Sequence, residues 1–545
     1  MFVTIIFDGD YYGMAGRDKW FLKALSDAHK NDSVVITHEY LDLHFKEIAD
    51  KCLDRFYKEF EMEYITDSDY KTISKGFVPD SIFNKIRSKF ISRTEELMYL
   101  FSKRDTDLER ILIDLIEKQL LSRNEKKVDA IFNCLDCFAS VKYLGDYFNC
   151  PVIPYSFSAI RKMHGYTETL YIADMIGEFS TSKGASLMYQ SFKENAKDVS
   201  IFSNRELLAM FGKEKNIPIL SVIERNGIHE FGICKTANSI YPFAFLKYKY
   251  TDTDLYYDVK DKLKTNDIIL RDHLNIPWNG TDSGYKKEHQ RNDPVSFITS
   301  CKRISSVDSQ ILLKALLWNR TVIANGDLVP FEFLCEHDIK SEKKVDSFGL
   351  NFFIFAYLIP SSLMFSKVYW LWRLNNPSVY EIYTYHLNYY INKFNFDVNK
   401  LKLQEEDRFF YILEKRGINQ QIIEKLKKSY LQKNIDYDVL SSRIDFVFND
   451  DKVESFYCLN EPKDGFIYSS QLINFDVAVK NIHFYPFVDV CGVAYIENLI
   501  VDGDIIFSQF KEANLSKQDG YINFTLDLCP GKHLIEFKWK YKFNC

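Results

Sequence analysis

Four short apolar runs, VTIIF (3–7), SVVITHEYL (33–41), DAIFNCL (129–135) and PVIPYS (151–156), alternate with long stretches of helical periodicity. Runs of this length, rich in β-branched and aromatic residues, read as strands. Strands separated by helices are joined by crossovers, which makes their sheet parallel and lays helices over its faces. Residues 85–125, dense in Lys, Arg and Glu, fit that covering role with their charges on a solvated face. A second alternating section starts at IPILSVIE (217–224), runs through NDIILRDHLN (266–275) and ends in the segment 294–326. Open α/β sheets take their ligands beyond the carboxyl ends of the strands. Two such units therefore predict a cleft, with the residues just after strands as the first candidates for a site.

The pattern changes twice more. From 346 to 440 it is strongly helical, anchored by aromatic residues in VYWLWRL (368–374) and YEIYTYHLNYYINKF (380–394). The apolar stretch 348–365 is interrupted by Asn351, Pro360, Ser361 and Ser362, so it reads as a buried helix pair and not a membrane span. After 445, apolar and polar residues alternate between Asp-Gly and Pro-Gly turns, the pattern of an all-β module. The expected units are an N-terminal Rossmann-like domain (1–210), a second Rossmann-like domain (211–345), a helical segment packing across both (346–445) and a β-sandwich (446–545).

At 545 residues the chain exceeds one hydrophobic core and calls for roughly two to four domains. A net charge of -6 argues against nucleic acid as a partner. The odd count of 11 cysteines, without paired CxxC motifs, favours reduced structural thiols. The N-terminus lacks a basic start, and its apolar run is cut by Asp8 and Asp10, so it reads as a buried strand and favours the cytoplasm.

Three places carry candidate chemistry. In the segment 294–326, Val295–Thr299 reads as a strand, Ser305, Ser306 and Ser309 crowd a helix start, and Thr321–Ala324 forms the next strand before Gly326. Unpaired N–H groups and the helix dipole at such a start favour an anion, with serine hydroxyls as added donors; an ordinary N-capped helix is the alternative. In ILRDHLN, Arg271, Asp272 and His273 follow an apolar strand, and His273 could donate to a phosphate and assist its departure. Glu224, followed by Arg225, Asn226 and Gly227, could act as nucleophile or base towards a sugar carbon, or form a surface ion pair in a turn. Asp8 and Asp10 in FDGDYYGMAG are a weak signal, since the glycine spacing is not the dinucleotide fingerprint. Asp252-Thr253-Asp254 lacks a preceding apolar strand and is discounted as a metal site.

Four pieces, SFSAIRKMHGYTETLYIADMIG (156–177), ILRDHLN (269–275), SFITSCKRISSVDSQILLKALLWNRTVIANGDLVPF (296–331) and FFIFAYLIPSSLMFSKVYWLWRLNNPSVYEIYTYHLNYY (352–390), make the chain resemble bacterial surface-polysaccharide glycosyltransferases of the two-Rossmann GT-B type. The nearest resemblance is to the retaining β-Kdo transferases of O-antigen, lipopolysaccharide and capsule assembly, which use CMP-Kdo. The resemblance spans roughly residues 1–440. The final module resembles β-sandwich accessory domains of such enzymes, with His483, Tyr485 and Pro486 standing where an RxDP element is usual.

The resemblance implies that Ser305, Ser306 and Ser309, with Arg271, hold the CMP phosphate and that His273 sits on it. It further implies that a carboxylate, Glu224, attacks the anomeric carbon with net retention. Arg161 would contact the acceptor or a donor carboxylate. Relatives carry an acidic pair where this chain has Glu224-Arg225. The implied partners are a nucleotide sugar, a glycan acceptor and other polysaccharide-assembly enzymes, with no metal or other cofactor and with any membrane contact peripheral. A transferase using a UDP or GDP sugar, and a catalytically silent glycan-assembly protein, are the competing expectations.

Overall fold

Alternating apolar runs and helices build a mixed sheet at the N-terminal end of the chain. The computed structural model describes residues 1–7, 17–52, 57–58, 60–134, 138–176, 181–196, 199–213, 229–235, 250–271, 294–431, 442–449, 452–463, 466–486, 492–508, 511–514 and 521–543. Strands β1 (Phe2–Ile6), β2 (Val34–His38), β3 (Lys75–Val78), β4 (Ala130–Cys134) and β5 (Val152–Phe157) pair parallel in the order 5-4-1-2-3. The two-residue period of a strand buried on both faces explains why β1 is apolar except at Thr4. Its Phe2 and Ile6 join a core that includes Phe21 and Leu25 of α1 (Arg17–Asn31). Val3 and Ile5 join another, with Leu108, Leu112 and Ile116 of α2 (Thr106–Ser122).

Beyond β5, β6 (Leu170–Ala173) pairs antiparallel. Helices α3 (Lys183–Asn195) and α4 (Asn204–Phe211) then carry the chain to the second unit. At the start of α3 the buried carboxylate of Asp174 takes the place of a side chain at Gly184, where a Cβ would come within 2.1 Å of Oδ2. The Tyr357 hydroxyl donates to that same oxygen at 2.8 Å.

In the second unit β7 (His229–Cys234), β8 (Ile268–Arg271), β9 (Cys301–Ser306) and β10 (Thr321–Ala324) are all parallel, in the order 10-9-7-8. The order reverses between β7 and β9, the kind of point where an open sheet leaves a crevice. One expectation fails here: Val295–Thr299 is not a strand but lies within α5 (Pro294–Ser300). Pro294 suits a first helical position because its missing N–H would have no partner there. The hydroxyls of Thr299 and Ser300 donate back to Val295 O and Phe297 O at 2.9 Å each, so the polar groups are satisfied within the helix. Next comes α6 (Ile311–Leu317), every residue of which is buried. Asn204 of α4 donates to Leu316 O at 2.6 Å and Leu317 O at 3.0 Å, capping the carboxyl end of α6 and joining the units.

The aromatic segment is helical but also contributes a strand. β11 (Leu358–Pro360) pairs antiparallel with β6 and completes a seven-stranded sheet. Pro360 is tolerated because β11 is an edge strand. In α7 (Val379–Phe394), Tyr383 and Tyr390 bury their rings against Phe355, Phe192 and Phe211.

The C-terminal strands are β12 (Ser442–Phe448), β13 (Val453–Lys463), β14 (Phe466–Phe475), β15 (Val479–Tyr485), β16 (Gly492–Val501), β17 (Asp504–Phe507), β18 (Lys511–Asn514), β19 (Ile522–Leu528) and β20 (Gly531–Phe543), and their pairings are antiparallel. Their inward rings stack across the layers, Phe484 on Phe537 at 3.9 Å. The Trp539 indole donates to Ser469 Oγ at 2.8 Å, so its N–H is satisfied in the core. Asp502 and Gly503, with φ of 53° and 92°, make the tight turn between β16 and β17 that their left-handed backbone allows.

Candidate functional site

Parallel pairing brings the carboxyl ends of β7, β8 and β9 side by side, with Cys234 opposite Arg271 and Ile233 opposite Ser305. The serines proposed to hold an anion divide at this point. Ser305 is fully buried, its hydroxyl donates to Ile323 O at 2.8 Å and accepts from Asn325 Nδ2 at 3.0 Å. Its only proton is therefore committed to tying β9 to β10, and Ser305 is corrected from phosphate ligand to strand tie. Ser306 also ends β9 and does not open the helix; its Oγ accepts from Ser309 N at 3.3 Å. Ser309 Oγ accepts from Ile311 N at 3.3 Å, and the N-cap position itself is Gln310. The hydroxyl-rich turn is thus shaped by its own serines.

Arg271 closes β8 with its side chain turned inward. The residue is only 8% exposed, and its Nε has no hydrogen-bond partner among the described residues. A buried guanidinium N–H left unpaired costs free energy on the order of 1–3 kcal/mol or more, so the position asks for an acceptor. On α6, Lys314 is 4% exposed and places its ammonium 5.7 Å from the ring centre of Tyr166, in the first unit.

The facing wall is the connection between β5 and β6, the SAIRKMHGY piece. It holds its shape through Ser158, whose Oγ accepts from Ile160 N at 3.1 Å and whose carbonyl accepts from Arg161 Nε at 2.8 Å. The Arg161 guanidinium sits 5.0 Å from the Phe157 ring centre. Burial pushes the His164 imidazole down to about 2, helped by the positive charges of Lys314, Arg161 and Arg271 and opposed by the Ala159 carbonyl. His164 is therefore a neutral imidazole at physiological pH. Its Nδ1 is buried without a hydrogen-bond partner among the described residues. The charges of Lys314, Arg161 and Arg271 are thus all felt at His164, and a positive potential of this kind favours an anion nearby.

Of the predicted residues, Arg161 and Arg271 both act by their charge on His164. Glu224 and His273 lie outside the described residues, as do Asp8, Asp10, Asp272, Arg225, Asn226 and Gly227. The sequence reading passed over His164 and Lys314. A signal for the second existed: Lys314 is the one charge in ILLKALL, a helix whose every other residue is apolar. The discounted Asp252–Asp254 triplet has a structural role, with Thr251 and Asp254 forming a reciprocal cap at the start of Asp252–Leu263.

A second polar cluster lies behind the same wall. Ser361 Oγ is 2.7 Å from Glu61 Oε2 and 3.0 Å from Glu168 Oε1, while Lys162 pairs with Glu61 and Lys393 with Glu168. Two carboxylates and two ammonium groups balance, and the cluster laces α7 and the β11 region to the first unit. Among the described residues no helix is long and apolar enough to cross a membrane.

No family model and no curated protein matches the sequence. Solved structures similar to this chain include the Thermosulfurimonas dismutans KpsC beta Kdo 2,7 transferase, at 11% identity over 47% of this chain and 89% of that one, with a TM-score of 0.28. The beta Kdo 2,4 transferase of the same KpsC matches at 12% identity over 41% of this chain and 78% of that one, with a TM-score of 0.28. The Methanocaldococcus jannaschii UDP-GlcNAc 2-epimerase, in complex with UDP-GlcNAc and UDP, matches at 12% identity over 61% of this chain and 86% of that one, with a TM-score of 0.26.

Proposed function

We propose that the chain is a glycosyltransferase that moves a sugar from a nucleotide-activated donor to a glycan acceptor. The observation that carries this reading is the buried Arg271, whose guanidinium keeps an unpartnered Nε at the carboxyl end of a parallel strand, one strand away from the point where the sheet order reverses. A donor phosphate is the natural acceptor for it.

Among donors, a CMP-activated ulosonic acid such as Kdo fits best. It brings one phosphate and one carboxylate, and two guanidinium groups, Arg271 on the second unit and Arg161 on the first, stand on the two sides. In this reading Ser306 and Ser309 shape the loop beside the phosphate, His273 assists the departing nucleotide, and Glu224 is the nucleophile of a retaining double displacement. The roles of Glu224 and His273 rest on the sequence alone.

A panel of CMP, UDP and GDP sugars, scored for nucleotide release and for mass gain of a glycan acceptor, tests the proposal. CMP release with the ulosonic acid donor, lost in Glu224→Gln with CMP binding kept, is the expected outcome. Turnover confined to UDP or GDP sugars would replace the donor assignment. Absence of turnover together with indifference to all three nucleotides would point to a glycan-assembly protein without catalysis.

A further inference from the structure

We infer that His533 is a pH-responsive clamp in the C-terminal β-module: as an imidazolium it ties the turn between β16 and β17 to the turn between β19 and β20, and on losing a proton it releases the second of the two. Two acceptors flank the one ring. His533 Nδ1 lies 2.7 Å from Asp502 Oδ2, and Nε2 lies 2.9 Å from the carbonyl oxygen of Cys529. An ionised carboxylate and a carbonyl can only accept, so each contact needs an N–H, and an imidazole carries two of them only when it is protonated. A neutral ring satisfies one acceptor and turns a lone pair towards the other.

The carboxylate is held in place before His533 reaches it. Asp502 N–H donates to Leu534 O at 2.9 Å, and Asp502 Oδ1 accepts from Leu534 N at 2.7 Å. These contacts hold the Asp502 carboxyl below its ordinary range, so it stays ionised when His533 titrates. The groups around the ring decide the sign of the response. From the β16–β17 turn it meets the Asp502 carboxylate, and from the β19–β20 turn the Cys529 carbonyl, the thiol of that residue being exposed. From β14 it meets Ile473 by register and the Phe475 ring at 6.4 Å, neither of which ionises. Lys532, its neighbour in β20, is exposed. The hydrogen bond to Asp502 first and the Cys529 carbonyl second raise the imidazolium above the ordinary 6.5, against a smaller opposing effect of burial. The clamp is therefore complete below 6.5 and is lost as the pH climbs through the raised value. An ionised acceptor binds an N–H more strongly than a carbonyl does, so the remaining proton stays on Nδ1 and the Cys529 side lets go.

NMR of the full chain, labelled with ¹⁵N at histidine, reads the ring directly. His533 should show two protonated nitrogens below pH 6.5, a midpoint above 6.5, and beyond that midpoint a neutral ring protonated at Nδ1. The backbone resonances of Cys529 and Gly531 should follow the same midpoint in the parent chain and lose that pH dependence in His533→Gln. Asp502→Asn, which keeps an oxygen for Leu534 N–H, should move the His533 midpoint down towards 6.5. A parent midpoint at or below 6.5, or a neutral ring protonated at Nε2, would overturn the clamp, and both are read without any variant having to fold. An unchanged midpoint in a folded Asp502→Asn chain would overturn it as well.

Discussion

At the scale of single residues, burial decides protonation. His386 is fully buried on the inner face of α7, and burial first and the Arg373 charge second push its imidazole down to about 3, with the carbonyls of Phe355 and Leu358 opposing. Its Nε2 lies 2.8 Å from the Tyr369 hydroxyl, which in turn accepts from Arg373 at 2.9 Å. The native state therefore binds no proton here at neutral or mildly acidic pH, while the unfolded chain takes one up near the ordinary histidine value of 6.5. Stability is unaffected above that value and falls as the pH drops below it. His386→Gln should lose about 2 kcal/mol less stability than the parent between pH 7 and pH 5, measured by urea unfolding at each pH. Parallel losses in the two proteins would show that His386 is not neutral in the fold. Asp27 works with the opposite sign, its carboxyl raised to about 6 by burial despite Lys23, so the native state takes that proton first; it is common to both proteins and cancels in the comparison.

At the scale of elements, polar lacing holds the aromatic segment to the first sheet. Glu168 is fully buried, and Lys393 of α7 supplies its counter-charge. Lys393→Met would leave that carboxylate with only the shared Ser361 hydroxyl among its described partners, and should destabilise the protein by about 2–4 kcal/mol. Adding Glu168→Gln should recover much of the loss in chemical unfolding, whereas additive losses would mean the two side chains do not act on each other.

The sequence told these elements apart unevenly, for physical reasons. Strands β1, β2, β4 and β5 were legible because both faces are largely buried and most positions are apolar. Strand β3, KGFV, is too short and too glycine-tolerant to stand out, and β7, HEFGIC, carries a glycine because α5 and the start of β9 pack on it: a Cβ on Gly232 would lie 2.8 Å from Phe297 Cζ and 2.5 Å from Cys301 Sγ. The segment Val295–Thr299 reads as a strand by its β-branched residues, yet Phe297 and Ile298 bury as a helical face and tertiary packing overrides propensity. At the site, Arg271 stood out by its place at the end of an apolar strand and Arg161 by the resemblance of the SAIRKMHGY piece. His164 and Lys314 were not legible, because a charge felt at a buried imidazole 150 positions away in sequence is a relation that no local pattern encodes.

At the scale of the molecule, the second sheet carries buried Arg271 and its neighbouring helix buried Lys314, and the anion proposed to meet Arg271 is the centre of the functional reading. An open cleft of about 930 Å³ lined by Lys142, Asp146, Asn149, Lys183 and Asp327 reaches the amino end of β5, the opposite end from Arg161. A buried N–H without an acceptor destabilises the empty protein, and a ligand that supplies the acceptor stabilises the filled one. The account therefore predicts a crossing pattern in thermal unfolding of the parent chain and Arg271→Met, each with and without CMP. Without nucleotide the variant should melt higher, since a buried N–H without an acceptor is gone; with CMP the parent should gain stability and the variant should not. A variant that melts lower when empty and still responds to CMP like the parent would contradict the claim that Arg271 waits for a phosphate.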